Sequence, residues 1–211
     1  VGSVVLLLLE QPKWTAIIVL VAMIGAGATI AARRSEDIPG VFWVALQGIG
    51  LGAGSFIVVM TLIGVIEWEM SSIVPVGSML IANAMNTVAL SFDRFDSEVK
   101  AHVGEIEAAL SLGAEPKETV RRYVQAGTEA GLIPRLNSLR SLGIVWIPGL
   151  MTGMILSGED PVYAAIYQFV VIAMLFAASG LTTIVSMLLI RSRVFSPAMQ
   201  LLLRPREGKE E

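Results

Sequence analysis

Long uncharged runs of apolar residues alternate along the chain with short charged segments. A helix that crosses a bilayer core needs roughly 20 residues. We therefore predict a membrane-spanning helix in each long run and a shorter, further candidate in the run 142–158. The run 4–9 resembles the end of another span, so we expect one or two more spans upstream of Val1. The long runs are 14–32, 42–66, 71–92 and 161–190.

These runs favour helices over strands. Stretches such as IIVLVAMIGAGA and FIVVMTLIGVI do not alternate between apolar and polar residues, as the strands of a membrane barrel would. We predict an all-α fold, a polytopic transmembrane helical bundle. Residues 1–203 would form a single membrane domain, and residues 204–211 a disordered cytoplasmic tail.

The basic residues predict the orientation of the bundle. Counting spans along the chain places Lys13 on the outer side and the segments 33–34, 93–141 and 191–211 on the inner side. Of the 15 Lys and Arg residues, 14 then lie on one face. Cytoplasmic loops carry such an excess of Lys and Arg. We expect a multi-pass protein of the inner membrane, with its basic loops and C terminus in the cytoplasm.

The cytoplasmic excursion 93–141 has its own helical pattern. Apolar residues recur at spacings of three and four, which indicates one face of an amphipathic helix continuing from the preceding span. Gly113 and Pro116 then predict a helix end and a new start. A second helix would cover 117–131, and the residues 132–134, which include Pro134, would end it. The apolar face consists of Phe95, Val99, Val103, Ile106 and Leu110.

Composition narrows the possible chemistry. The chain is 55% apolar and 16% charged, whereas soluble domains are about a quarter charged. It has no cysteine, which excludes disulfides and thiolate ligands. No basic patch with interleaved aromatic residues suggests nucleic acid. Phosphate-binding and hydrolase motifs are missing from the sequence. If ATP drives this protein, ATP and Mg²⁺ would therefore bind on a separate ATPase chain, and this chain would hold no cofactor.

Residues 107–134 show the layout of an EAA loop, by which permeases of ABC transporters dock on their ATPase. In such a loop, small residues fit into a groove on the ATPase, a glycine permits a sharp turn, and charged residues on the outer face contact the ATPase surface. The alternative is an ordinary solvated loop between spans. We predict a coupling hairpin with contacts from Glu105, Glu107, Ala108, Ala109, Gly113, Ala114, Arg121 and Arg122.

Two segments, 71–79 and 145–154, combine Pro, Gly and Met within predicted spans. Such interruptions indicate a substrate route in transporters, although helix starts and ordinary packing explain them as well. No charged residue lies in the predicted spans, and no metal site is identified. The expected path residues are Met79, Asn83, Met85, Asn86, Met151, Thr152, Met154 and Gln168.

Acidic residues cluster at the predicted outer ends of the spans. They would form a mouth that attracts or releases cations, or they are only solvated loop residues. The set comprises Glu67, Glu69, Glu159 and Asp160.

Three blocks of sequence resemble the FetB-like family of ABC permeases, the membrane subunits of proposed bacterial iron exporters with plant relatives linked to aluminium tolerance. They are IVPVGSMLIANAMN at 73–86, ALSLGAEPKETV at 109–120 and NSLRSLGIVWIPGLMTGMILSGEDPVYAAIYQ at 137–168. Met154 stands where the family pattern has Gln, and Ala82 where it has Gly. The resemblance implies a homodimer with two copies of a cognate ATPase, and export of iron.

Two other classes remain open. A secondary transporter with a large cytoplasmic hairpin would need no ATPase, and a membrane scaffold would recruit a soluble partner without transport. Co-purification of an ATPase with substrate-dependent activity separates these classes from an ABC permease.

Overall fold

The computed structural model describes residues 14–35, 37–64, 68–141, 149–196 and 198–203. Within these residues the chain forms eight helices and one isolated β-bridge. The helices are α1 (Thr15–Ala32), α2 (Val41–Leu62), α3 (Met70–Ala101), α4 (Val103–Ser111), α5 (Pro116–Thr119), α6 (Arg121–Ser141), α7 (Gly149–Leu156) and α8 (Pro161–Ile190). The prediction of an all-α fold is confirmed.

Four helices are long and apolar enough to cross a membrane: α1, α2, α8 and the part Ile73–Ala101 of α3. They match the four long apolar runs of the sequence. The shorter candidate, 142–158, is represented only by α7, because residues 142–148 lie outside the described residues. The run 4–9 lies outside them as well.

Glycines set the distance between α2 and α8. A β-carbon built on Gly48 would lie 1.8 Å from the Ser186 hydroxyl, and one built on Gly52 would lie 1.8 Å from the Thr182 hydroxyl. No side chain fits in either place, so the two helices approach each other at backbone distance. Close contact through small residues is how helices associate in a membrane, where burial of apolar surface provides no driving force.

Helix α6 packs against α3 and α8 in the same way. A β-carbon on Gly127 would lie 2.8 Å from the carbonyl oxygen of Ser91 and 2.7 Å from the terminal methyl of Met187. One turn further along, a β-carbon on Gly131 would lie 2.9 Å from the carbonyl oxygen of Thr87. Because residue numbers rise on α6 as they fall on α3, the two helices run antiparallel.

The predicted helix end at Pro134 is wrong. Helix α6 continues through Pro134 to Ser141. A proline inside a helix removes one backbone hydrogen bond, and the contacts of α6 with α3 and α8 compensate for this loss. Pro75 likewise lies inside a helix, five residues after the start of α3.

The apolar face predicted for 95–110 is confirmed, with one break. Phe95, Val99 and Ile106 are buried, while Val103 packs half-buried against them. The helix is interrupted at His102, whose φ of −123° and ψ of 27° end α3, and α4 starts at the next residue. The predicted single long helix is therefore two helices.

An ion-pair cluster connects α3 to the α1–α2 loop. Lys100 Nζ lies 2.6 Å from Asp96 on its own helix and 2.6 Å from Asp37 in the loop. Asp96 is only 9% exposed. The lysine therefore neutralises a carboxylate that is largely removed from water.

The chain after α8 folds back on the bundle. Phe195 and Leu201 form the β-bridge, and Val194, Leu201 and Leu203 are buried in the core. Residues up to Leu203 thus pack with the helices. The tail 204–211, predicted to be disordered, lies outside the described residues.

Candidate functional site

The segment between α4 and α5 turns sharply at Gly113, which has a φ of +87°. The Gly113 amide donates to the carbonyl of Leu110 at 3.0 Å, and the Ala114 amide donates to the carbonyl of Ala109 at 3.1 Å. These two hydrogen bonds form a Schellman motif, which satisfies carbonyls that the helix end leaves free. The positive φ favours glycine, since it strains any residue with a β-carbon.

The turn presents an apolar tip. Leu112 is 89% exposed, and Ala108, Gly113 and Ala114 beside it are exposed too. Nothing lies within 4 Å of a β-carbon built on Gly113. We call residues 103–120 the hairpin. Its tip offers a small, apolar surface that no described residue covers.

The predicted coupling residues share this region. Glu105, Glu107, Arg121 and Arg122 are exposed on the hairpin and at the start of α6, and Ala109 is half-buried. Glu115 precedes α5 with Pro116 in its first turn, as the sequence indicated. Their role in coupling to an ATPase stays a prediction.

A stacked group of side chains holds the base of the hairpin. The His102 and Tyr123 rings stack with their centroids 5.2 Å apart, and the Arg122 guanidinium lies 4.7 Å from the centroid of the Tyr123 ring. Arg122 also donates to the Tyr123 hydroxyl and to Glu105 on α4. These hydrogen bonds raise the pKa of Arg122 above its ordinary value.

A cavity of about 190 Å³ brings the two predicted interruptions together on the side of the bundle. Pro75 and Met79 of α3, Leu150 of α7 and Tyr167 of α8 line it. Its walls are mostly apolar side chains. Pro148, the proline of the second interruption, lies outside the described residues.

The other predicted path residues are dispersed. Met85 packs against α1, where its Cβ would lie 3.6 Å from a β-carbon on Gly27. Asn86 is exposed and lines a separate cavity of about 180 Å³ with Arg34 and Asp93. Gln168 is 3% exposed, and its side-chain oxygen has no hydrogen-bond partner among the described residues. Asn83, Met151 and Met154 are half-buried, and Thr152 is exposed.

Two of the predicted outer-mouth residues lie at helix starts. Asp160 caps α8 by accepting hydrogen bonds of 2.9 Å from the amides of Val162 and Tyr163. Glu69 precedes α3 at its N-cap position without such a bond. Glu159 is exposed, and Glu67 lies outside the described residues. Within the described part of the chain, no three His, Asp or Glu side chains are grouped to hold a metal ion.

The sequence analysis missed several buried polar groups on α6 and α8. Arg135 on α6 is half-buried, and its Nε has no hydrogen-bond partner among the described residues. The hydroxyls of Ser179 and Thr183 on α8 are fully buried and unpartnered in the same sense. The signal in the sequence was the four-residue spacing of Tyr123, Gly127, Gly131 and Arg135, which places all four on one helix face.

Long apolar helices packed into one bundle define this chain as a multi-pass α-helical membrane protein. The chain belongs to the uncharacterised protein family UPF0014, whose model matches residues 1–195. The resemblance to FetB-like proteins is thereby confirmed.

Curated relatives cover most of the chain. It is 34% identical to the "Probable iron export permease protein FetB" of Escherichia coli (strain K12). The 173 aligned residues cover 82% of this chain and 67% of that protein. It is 30% identical to "Protein ALUMINUM SENSITIVE 3" of Arabidopsis thaliana, over 91% of this chain and 70% of that protein. A Synechocystis relative, "UPF0014 membrane protein slr1647", is 29% identical over 92% of this chain and 76% of its own length. No solved structure matches the chain.

Proposed function

We propose that this chain is the transmembrane permease subunit of an ABC transporter, driven by a separate ATPase that binds ATP and Mg²⁺. The observation that carries the proposal is that α3 connects the cavity to the hairpin. One end of α3 borders the cavity at Pro75, and the other end joins α4 at His102. A partner that moves the hairpin would therefore move a wall of the cavity.

The shape and chemistry of the hairpin support docking. Its tip is small and apolar, and the stacked His102, Tyr123 and Arg122 side chains fix its base to α6. A rigid attachment is needed for force to pass from a partner to the membrane helices. The charged residues Glu107 and Arg121 are exposed and would provide polar contacts at the rim of such an interface.

The name of the Escherichia coli relative supports iron as cargo and export as direction. The proposal includes a homodimer with two ATPase chains in the inner membrane, with the basic loops and the C terminus in the cytoplasm. The sorting of 14 of 15 Lys and Arg residues supports this orientation. The chain itself would have no enzymatic activity.

Reconstitution tests the proposal. The permease and its ATPase are placed together in proteoliposomes, and ATP hydrolysis and metal transport are measured against a panel of ions. We expect substrate-dependent hydrolysis and ATP-dependent transport. Transport driven by an ion gradient without ATP would instead identify a secondary transporter. A stable complex without substrate-dependent activity would identify a scaffold.

A further inference from the structure

Helices α1 and α3 run parallel, side by side. A β-carbon built on Gly77 of α3 would lie 2.5 Å from a terminal methyl of Leu20, and one built on Gly27 of α1 would lie 3.6 Å from the Met85 Cβ. Residue numbers therefore rise together along the two helices. Two further turns bring Arg34, which follows α1, to the level at which the uncharged run of α3 ends.

The charged residues at these helix ends mark the edge of the membrane. Arg33 and Arg34 follow the uncharged run 14–32 directly, and Asp93 follows the uncharged run 71–92 directly. Both runs are long enough to cross a hydrocarbon core of about 30 Å. Arg34 and Asp93 therefore lie where the hydrocarbon ends and the lipid headgroups begin, on the side that the basic residues predict to be cytoplasmic.

Arg34 and Asp93 line one cavity of about 180 Å³, together with Asn86, Ala89 and Leu90 of α3. The positions on α3 recur at spacings of three and four, so they share one helix face. Arg34, Asn86 and Asp93 are exposed, and Leu90 is 45% exposed. The cavity is thus accessible from the surface of the bundle, and it combines a cation, an anion, an amide and an apolar wall.

Neither charge of this cavity has an ion-pair partner among the described residues. The ion pairs of those residues include neither Arg34 nor Asp93. Arg94, the next residue after Asp93, is by contrast paired with Glu98 at 2.6 Å. A cation and an anion that line one cavity without pairing are both available to a ligand that carries the two opposite charges.

We propose that this cavity binds the headgroup of a phospholipid that carries a primary ammonium, such as phosphatidylethanolamine. The Arg34 guanidinium matches phosphate oxygens in planar hydrogen bonds. The Asp93 carboxylate accepts hydrogen bonds from the ammonium. Basic pockets between membrane helices on the cytoplasmic side bind lipid headgroups, and the carboxylate makes this one selective for a headgroup with both charges.

The remaining residues of the cavity fit the rest of the lipid. Asn86 lies seven residues before Asp93, about 10 Å deeper along the helix. Hydrocarbon offers an exposed amide no hydrogen-bond partner, so an ester carbonyl of the lipid is a favourable acceptor for its N–H groups. Ala89 and Leu90 would contact the start of an acyl chain. Lipid binding requires no ATPase, so this site is independent of the proposed function.

Lipid titration of the full chain in a neutral detergent tests the proposal. Native mass spectrometry gives the affinities for phosphatidylethanolamine, phosphatidylcholine and phosphatidylglycerol with identical acyl chains. Phosphatidylcholine has no N–H donor for Asp93, and phosphatidylglycerol has no cation. We expect the wild type to bind phosphatidylethanolamine about three- to tenfold more tightly than either of the others.

Substitutions of the two charged residues should have different effects. Arg34→Gln removes the phosphate contact and should weaken the binding of all three lipids. Asp93→Asn should weaken the binding of phosphatidylethanolamine alone, so that the preference disappears. Asp93→Lys places two cations in the cavity and should favour phosphatidylglycerol instead. A general folding defect would not reverse a preference, and if Arg34→Gln fails to fold, the two Asp93 variants carry the test.

Neighbouring arginines provide matched controls. Arg33 lines a separate, open depression with Pro39 and Gly40. Arg33→Gln should therefore leave the preference among the three lipids unchanged. Arg94→Gln removes a charge that lies next to Asp93 in sequence but already has a partner, and it should leave the preference unchanged as well.

The proposal is overturned if the wild type binds the three lipids equally, or if the preference survives Asp93→Asn. Free glycerophosphoethanolamine that competes with an affinity equal to that of the lipid would assign the cavity to a water-soluble ligand and would also overturn it. A dimer that dissociates in Arg34→Gln, without any lipid preference in the wild type, would assign the cavity to a contact between two copies of the chain.

Discussion

Gly52 of α2 lies against Thr182 of α8 so closely that a β-carbon at position 52 would be 2.7 Å from the Thr182 Cα. The clash is with backbone, which cannot rotate away as a flexible side chain would. Gly52→Ala should therefore force α2 and α8 apart and destabilise the bundle by about 1–3 kcal/mol. A lower thermal unfolding midpoint in detergent would show this effect.

Gly50→Ala is the matched control, since nothing lies within 4 Å of a β-carbon at that position. Both glycines are in the same helix, so the change in helix propensity is shared. A Gly52→Ala protein as stable as Gly50→Ala would mean that α2 and α8 are not in close contact.

The Lys100 cluster should contribute more to stability than an exposed ion pair does. Lys100→Met leaves the nearly buried Asp96 without its charged partner, which costs about 1.5–3 kcal/mol. The comparison variant Arg94→Met breaks another i,i+4 ion pair of α3, between Arg94 and Glu98, in which the Arg94 side chain is 56% exposed. This substitution should cost less than about 1 kcal/mol. Thermal unfolding midpoints of the two variants rank the pairs, and equal losses would contradict burial as the cause.

Gly113→Ala should impair coupling without affecting the bundle. At the positive φ of position 113, the backbone of a residue with a β-carbon is strained by about 1–2 kcal/mol. No neighbouring atom lies within 4 Å of the added β-carbon. The strain would be relieved by a change in the turn that displaces Leu112. We expect lower transport per ATP hydrolysed by the reconstituted pair, with an unchanged unfolding midpoint. Gly104→Ala, also unobstructed but without a positive φ, should behave as the wild type.

Tyr123 should control the rigidity of the hairpin. Tyr123→Ala removes the ring that stacks on His102 and lies beside Arg122. Amide hydrogen exchange in 103–120 should then become faster, because the hairpin loses its attachment to α6. Tyr123→Phe keeps the ring and loses only the hydrogen bond from Arg122, so its exchange should stay close to that of the wild type. Faster exchange spread over the whole bundle would point to a global fold defect instead.

Local composition was enough to predict the four long helices, the buried face that begins at Phe95 and the turn at Gly113. Uncharged apolar runs long enough to span a bilayer predicted the four long helices, because such runs are more stable in lipid than in water. The spacing from Phe95 to Leu110 predicted the buried face that α3 and α4 share. Gly113 predicted the turn because few other residues adopt a positive φ. Each of these signals lies within one continuous stretch of the chain, so it can be recognised in the sequence.

Tertiary contacts decided what the elements do together. Pro134 suggested a helix end, but packing against α3 and α8 keeps α6 helical to Ser141. The predicted path residues share sequence blocks, yet Met79, Met85 and Asn86 face three different surroundings because they point in different directions from one helix. The sequence placed Arg135 after the end of the predicted helix. The close packing of Gly127 and Gly131 against Ser91 and Thr87 instead keeps Arg135 within α6. Such contacts join residues that are about 40 positions apart, and local periodicity carries no information on them.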